Sequence, residues 1–353
     1  MHAHRTPRTL GLLGLAAAAL AVWSCAAADA ASGNAEPTSP GEPAAEAGAR
    51  IDGSSGASPP ADASGGDSGA AGDTGGVLAD AGVTGDASYR TSLHVCWNDP
   101  TCPRALAISH GGDWALAGPP YDSNAALAAA YDHGADGVKI DVRFTSDNVA
   151  VVSHSSPIQT YESLDCSGKK IEEMTAAQVT ACHRFPSSET FQRLDDVLDA
   201  LRGKLVVQLC VKVNTDFGRT IADVLARGAE DFAFIEVNAG DFPTIPALPG
   251  ADKVYYVVNA ASTLADVDTV LAYKNPRVIM MELDPTVALS GLAATKLHPA
   301  GVRAFTYDNS STATAQTLKA LFDQGYDVVS SNLTAPDVQA RMQVNQARGV
   351  TPP

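Results

Sequence analysis

Two histidines in this chain close short apolar runs of strand character: His110 follows 105–109 (ALAIS), and His154 follows 149–153. An imidazole titrates near neutral pH and can take or give a proton during a reaction. Other reactive side chains recur where similar runs end. They are Lys139, Asp141 and Arg143, then Cys210 and Lys212, then Glu236 and Asn238. Glu282 and Asp284, Tyr307 and Asp308, and Ser331 and Asn332 complete the series. A histidine taken singly is more often structural or surface-exposed. Two at consecutive strand ends point to a common site. His133, His183 and His298 fall in helices or loops and carry no such reading.

The elements that must position these residues alternate regularly. Strand-like runs cover 105–109, 138–144, 149–153, 205–212, 232–237, 254–258, 278–283, 302–306 and 328–330. Helical segments cover 124–133, 194–201, 220–226, 263–273, 289–297 and 314–324, and Gly134 stands where a C-terminal cap glycine belongs. Continuously apolar strands are what a parallel sheet covered on both faces requires. About eight such units in about 250 residues predict a (β/α)8 TIM barrel, with chemistry at the C-terminal strand ends. An open doubly wound sheet is the alternative, but no Gly-rich phosphate loop follows the first strand.

Several of these segments resemble the glycerophosphodiester phosphodiesterase family, of the phospholipase C-like superfamily. The similarity lies in His110-Gly111-Gly112, then Asp122-Ser123-Asn124, then GADGVKIDVRFTSDNVAVVSH up to His154. GKLVVQLCVK (203–212), FTYDN (305–309) and GYDVVSSNLTAPDV (325–338) follow in the family's order, so the resemblance covers about 105–345. It implies a TIM barrel, phosphodiester hydrolysis of a glycerophosphodiester or lipid headgroup, and a divalent metal such as Mg or Ca. The departures fall on the positions that implied chemistry uses. The family's Arg after the first histidine is Gly111, and its Asp after the second is Ser155. Its Glu, Asp and Glu metal ligands are Lys139, Asp141 and Cys210. Its Trp before Thr is Phe305. A hard cation wants oxygen ligands, which an ammonium and a thiol supply poorly.

Two accounts follow from that residue set. In one, the chain is a phosphodiesterase that works without a metal. His110 and His154 are its general base and acid, and Lys139, with Arg143 or Lys212, stabilises the phosphate's charge. In the other, it is a non-catalytic barrel that binds a phosphate or sugar ligand at the cell surface. A third class, a structural or adhesive surface protein, suits the N-terminal region.

The chain has 353 residues, with 24 Lys and Arg against 40 Asp and Glu, and a net charge of −16. Residues 26–90 hold 10 acidic and 2 basic residues among Ala, Gly, Ser and Pro, which suits a disordered acidic linker. Acidic charge throughout argues against a nucleic-acid partner. Arg5 and Arg8 precede an apolar run over 10–22, the pattern of a signal peptide. Val22-Trp23-Ser24-Cys25 resembles a bacterial lipoprotein cleavage box and makes Cys25 the candidate lipidation site. Cleavage within 26–31 by ordinary signal peptidase is the alternative. The expected organisation is therefore a signal peptide over 1–25, a linker over 26–90 and the barrel over 91–353, its core about 100–345. The expected location is outside the cytoplasm, either anchored to a membrane or periplasmic or extracellular. Export favours disulfides, and pairing near with near gives Cys96–Cys102 and Cys166–Cys182, leaving Cys210 over as a buried residue.

Overall fold

A computed structural model describes residues 96–97, 99, 101–115, 118–261, 263–285 and 291–350. The signal peptide, lipobox-like segment and linker expected over 1–90 lie outside the described residues.

Among the described residues nine strands form one sheet: β1 (Leu106–His110), β2 (Gly137–Phe144), β3 (Ala150–Val152), β4 (Val206–Val211), β5 (Ala233–Asn238), β6 (Tyr255–Ala261), β7 (Val278–Leu283), β8 (Arg303–Asp308) and β9 (Val328–Ser331). Eight of them are parallel in the order β1-β9-β8-β7-β6-β5-β4-β2, and β1 also pairs with β2, so the sheet closes. The closed sheet with its outer helices is the expected (β/α)8 barrel. Valine, isoleucine and leucine dominate these strands, and the side chains facing outward pack against the helices in one continuous apolar layer. A second, inner cluster fills the lower lumen, with Leu106, Val206, Phe234, Val257, Met280 and Phe305 among its members. Trp97 seals that end, 4.0 Å from Phe234 between ring centroids and 2% exposed. Phe305 thus fills the lumen below the mouth.

The ninth strand corrects the sequence reading. β3 is not a barrel strand but runs antiparallel to β2, pairing Val142 with Val152 and Phe144 with Ala150. β2 has eight residues, long enough to rise past its neighbours before the chain turns back at Thr145–Val149. That return brings Ser153 beside Asp141, whose carbonyl accepts the Ser153 N–H at 3.0 Å. His154 therefore reaches the mouth on a returning hairpin arm and not at a barrel strand's C-terminal end.

Between β3 and the next barrel strand, residues 154–193 form a small lobe around Val151, Ile158, Ile171, Val179 and Phe191. Short turns and α2 (Ala176–Val179) shape it, and the Cys166–Cys182 disulfide crosses it. Cys96–Cys102 is also formed. Cys210, expected to be left over as a free buried residue, is fully buried in β4 but is disulfide-bonded, which corrects that expectation; no described cysteine is free.

The outer helices are α1 (Asn124–Asp132), α3 (Leu194–Leu201), α4 (Phe217–Ala226), α5 (Leu264–Ala272), α6 (Ala315–Asp323) and α7 (Thr334–Ala347). Ser123 caps α1 by accepting the Ala126 N–H, and Gly134 follows it at φ +87°, a conformation glycine adopts without steric cost. The helix expected over 289–297 is instead a π turn at Ala293–Leu297, with 286–290 outside the described residues. The helix expected from 220 begins at Phe217. The sequence reading missed α7, because Pro336 in its first turn and polar residues along it mask the period. α7 packs on β1, where Asn345 Oδ1 accepts the Ala105 N–H and Asn345 Nδ2 donates to the Ala105 carbonyl. Among the described residues no helix is long and apolar enough to cross a membrane.

Candidate active site

Parallel register sets the levels of the mouth. His110 lies opposite Lys139, Lys139 opposite Gln208, and Asp141 opposite Cys210, which is opposite Glu236. Alternation along β2 and β4 then turns Lys139 and Asp141, and Gln208, Cys210 and Lys212, to one face each. The rim residues His110, Tyr121, Lys139, His154 and Asn332 are half-buried, while Asp141, Lys212, Glu236 and Glu282 below them are buried.

His110 is held in one tautomer. Asn332 Nδ2 donates to the Asn309 carbonyl at 2.8 Å, which turns Asn332 Oδ1 toward His110 Nδ1 at 2.7 Å. Nδ1 therefore carries the proton, and Nε2 presents a lone pair. Burial first, then the Lys139 charge, hold this imidazole well below its ordinary range, so it is neutral at pH 7. The Tyr121 hydroxyl sits 3.2 Å from that Nε2 and 3.1 Å from Asp141 Oδ2.

His154 is held at the same ring nitrogen. Its Nδ1 lies 3.0 Å from both the Ser155 and Tyr161 hydroxyls, which are 2.9 Å apart. Either hydroxyl can donate to Nδ1, which would put the ring proton on Nε2, or can accept a hydrogen bond from it. The backbone under His154 is pinned by two charged groups. Glu162 Oε1 accepts the His154 and Ser155 N–H groups at 3.0 and 3.2 Å. Arg143 donates to the His154 carbonyl through Nε at 3.0 Å and Nη2 at 2.8 Å. Arg143, expected to steady a phosphate's charge, thus serves to position His154. Its long side chain reaches across the hairpin to the segment that returns beside it.

The cations and carboxylates pair off. Lys212 Nζ lies 3.1 Å from Asp141 Oδ1, both side chains buried. Burial works against the Asp141 charge, but Lys212, then His154 and Lys139, outweigh it and hold the carboxyl well below its usual range. Lys139 Nζ lies 3.3 Å from Glu236 Oε2. Burial disfavours its ammonium, yet Glu236 and then Glu282 raise its pKa further than burial lowers it. Gln208 Nε2 donates to Glu236 at 2.8 Å and lies 3.4 Å from Glu282 Oε2. Burial, then the Glu236 charge, push Glu282 up to about 7.

These pairings decide how the positions that resemble metal ligands fit a cation. Lys139 brings a positive charge, Asp141 is engaged by Lys212 and Tyr121, and Cys210 is not a free thiol and offers no thiolate ligand. Among the described residues no three His, Cys, Asp or Glu side chains converge to hold an ion. The residues present do not fit a hard divalent metal, which needs about six oxygen ligands.

Spacing alone did not single out Tyr121, Gln208, Glu162 or Arg184. Gln208 was legible, since it interrupts an apolar strand on the face shared by Cys210 and Lys212. Glu162 and Arg184 lie in the lobe and reach the site only through its fold. Arg184 donates to the Val152 carbonyl at 2.7 Å and to the Tyr121 carbonyl at 2.9 Å. A surface cleft lined by Asp165, Lys169, Glu173 and Gln178 on the lobe holds none of the mouth residues.

Two histidines, each anchored at Nδ1, stand with Lys139 and the buried Lys212 at the C-terminal mouth of a parallel barrel. The glycerophosphoryl diester phosphodiesterase family model matches residues 120–329, and the chain belongs to that family. It is 31% identical to the mouse protein glycerophosphodiester phosphodiesterase 1 over 121 residues, 32% of this chain and 35% of that one. The chain thus spans about a third of that curated relative's length. Among solved structures, a glycerophosphodiester phosphodiesterase from Agrobacterium tumefaciens superposes with TM-score 0.53 at 18% identity, covering 66% of this chain and 98% of that one. A glycerophosphoryl diester phosphodiesterase from Parabacteroides distasonis gives TM-score 0.57 at 17% identity, covering 73% and 92%. An Oleispira antarctica phosphodiesterase in complex with the product sn-glycerol-3-phosphate gives 0.53 at 16%, covering 68% and 96%.

Proposed function

We propose that the protein hydrolyses glycerophosphodiesters with His110 as general base and His154 as general acid, with Lys139 and Lys212 supplying positive charge. The observation that carries this is the pair of imidazoles that both face Tyr121 at the mouth, each anchored through its Nδ1. His110 Nε2 takes a proton from water as the water oxygen bonds to phosphorus. His154 Nε2 gives its proton to the alcohol oxygen as the second phosphorus–oxygen bond breaks. A phosphomonoester and an alcohol leave. Lys139 stays charged far above neutral pH and offsets charge on the non-bridging oxygens. Family membership supports phosphodiester hydrolysis in general, and the relative bound to sn-glycerol-3-phosphate supports the product class.

The full chain, assayed with glycerophosphodiesters with and without EDTA, tests the reading. Turnover that survives EDTA and falls about 10²-fold or more in His110→Ala and in His154→Ala is expected. Turnover abolished by EDTA and restored by Mg or Ca would refute the metal-free arrangement. An inert protein would sink the hydrolase reading.

We also propose export and anchoring to a membrane through a lipid on Cys25. The two disulfides support an oxidising compartment. Metabolic labelling with a palmitate analogue that persists in Cys25→Ala would refute the anchor.

A further inference from the structure

Tyr121 stands between the two histidines. Its ring meets His110 and His154 edge-on, at centroid distances of 5.5 and 5.8 Å. Its hydroxyl is within hydrogen-bond distance of His110 Nε2 and Asp141 Oδ2. A ligand held between the imidazoles lies within reach of this phenol oxygen.

The surrounding chain is shaped to hold the ring. Gly111 has φ +72°, and a Cβ there would fall 2.0 Å from Tyr121 Cε2 and 2.5 Å from Cζ. The space a side chain at 111 would need is therefore filled by Tyr121. Trp114 packs edge-on at 5.6 Å, and Arg184 holds the Tyr121 carbonyl. Asp122 follows at φ +58°, uncommon outside glycine. Backbone of that kind persists where its surroundings over-determine it, and it concentrates at functional sites. These contacts fix the ring from its backbone side, and the half-buried residue opens to the mouth.

The hydroxyl has one proton and two acceptors. His110 Nε2 presents a lone pair, and Asp141 is ionised. The phenol satisfies one of them at a time. When a phosphodiester and its attacking water arrive, the water takes the Nε2 lone pair, and Asp141 remains paired with Lys212. The O–H is then free to turn to an incoming oxygen. A phenol is protonated at neutral pH and hence a donor.

We propose that Tyr121 contacts the phosphate: with its ring seated in the space Gly111 leaves without a side chain, its hydroxyl donates to a non-bridging oxygen of the bound phosphodiester. This rests on the phosphodiesterase reading and adds a substrate contact to it.

Tyr121→Phe in the full chain keeps the ring and removes the donor. Turnover of a glycerophosphodiester and calorimetric binding of sn-glycerol-3-phosphate are the two readouts. Both kcat/KM and product affinity are expected to fall about 10- to 100-fold, as for loss of a hydrogen bond to a charged group. The acid limb of the pH profile should stay in place, because His110 still titrates. Gly111→Ala should displace the ring and cause a similar loss, and Gly111→Ala/Tyr121→Ala should recover the thermal midpoint but not activity. Wild-type turnover with kcat/KM and affinity unchanged in Tyr121→Phe overturns the tyrosine contact and leaves the phosphodiesterase reading standing. A shifted acid limb with unchanged product affinity overturns it too, since the hydroxyl would then act through His110. A wild-type protein inert to both substrate and product overturns both.

Discussion

Asn332 Oδ1 lies 2.7 Å from His110 Nδ1, and the Asn332 amide is itself oriented by the Asn309 carbonyl. The end of the last barrel strand thereby fixes the proton on the first. Asn332→Ala should free the imidazole to adopt either tautomer and lower kcat about 10-fold or more, in line with losses of groups that orient a functional histidine. Asn332→Asp should make His110 more basic and move the acid limb of kcat/KM to higher pH. A pH profile identical to wild type in Asn332→Asp would contradict the tautomer assignment.

The depressed His110 pKa also has a sign for stability. The unfolded chain binds a proton near pH 6.5, its ordinary value, while the folded imidazole stays neutral to lower pH. His110 thus contributes stability present above about pH 6.5 and lost as pH falls toward its folded pKa. His298 works the other way. The Asp327 hydrogen bond at 2.8 Å raises its pKa against burial, so its contribution is present below about pH 6.5 and lost as pH rises through the raised value. His298→Gln should flatten the thermal midpoint between pH 6 and 8. An unchanged slope there would contradict this.

Half-buried Lys139 forms one charged unit with the buried Glu236, Gln208 and Glu282. Lys139→Met leaves two carboxylates facing each other without a cation and should cost about 3 kcal/mol or more in urea unfolding. Lys139→Met/Glu236→Gln should recover most of that loss. Lys139→Glu should abolish turnover on the metal-free reading. Mg- or Ca-dependent activity gained by that variant over an inert parent would refute it.

The Cys166–Cys182 disulfide closes a loop of 16 residues in the lobe that supplies Tyr161 and Glu162 to His154. Cys166→Ser/Cys182→Ser should cost about 3 kcal/mol. Limited proteolysis should then cut within 154–193, with turnover falling alongside. Cleavage elsewhere, with full activity, would show that the lobe does not support His154.

The barrel was legible because it rests on local signals. Each parallel strand is buried on both faces and must be apolar, and each helix carries its own period and caps, as Ser123 and Gly134 do for α1. Period two along β2 and β4 likewise grouped Lys139 with Asp141 and Cys210 with Lys212. Near-neighbour spacing sufficed for Cys96–Cys102 and Cys166–Cys182. Other features depended on long-range approach. Whether β3 closes the barrel or folds back depends on how far β2 rises above its neighbours, which only the register of the whole sheet sets. Arg143 resembled a phosphate cation until the hairpin placed the His154 carbonyl in front of it. Tyr121 carries no periodic signature; it enters the site because Gly111, ten residues earlier, lacks a Cβ, and because Arg184, 63 residues later, grips its carbonyl. Sequence determines what each strand buries and which side chains share its face. The partner of each charge is chosen across strands, where burial makes an unpaired ion too costly to keep, and only the closed tertiary structure brings those strands together.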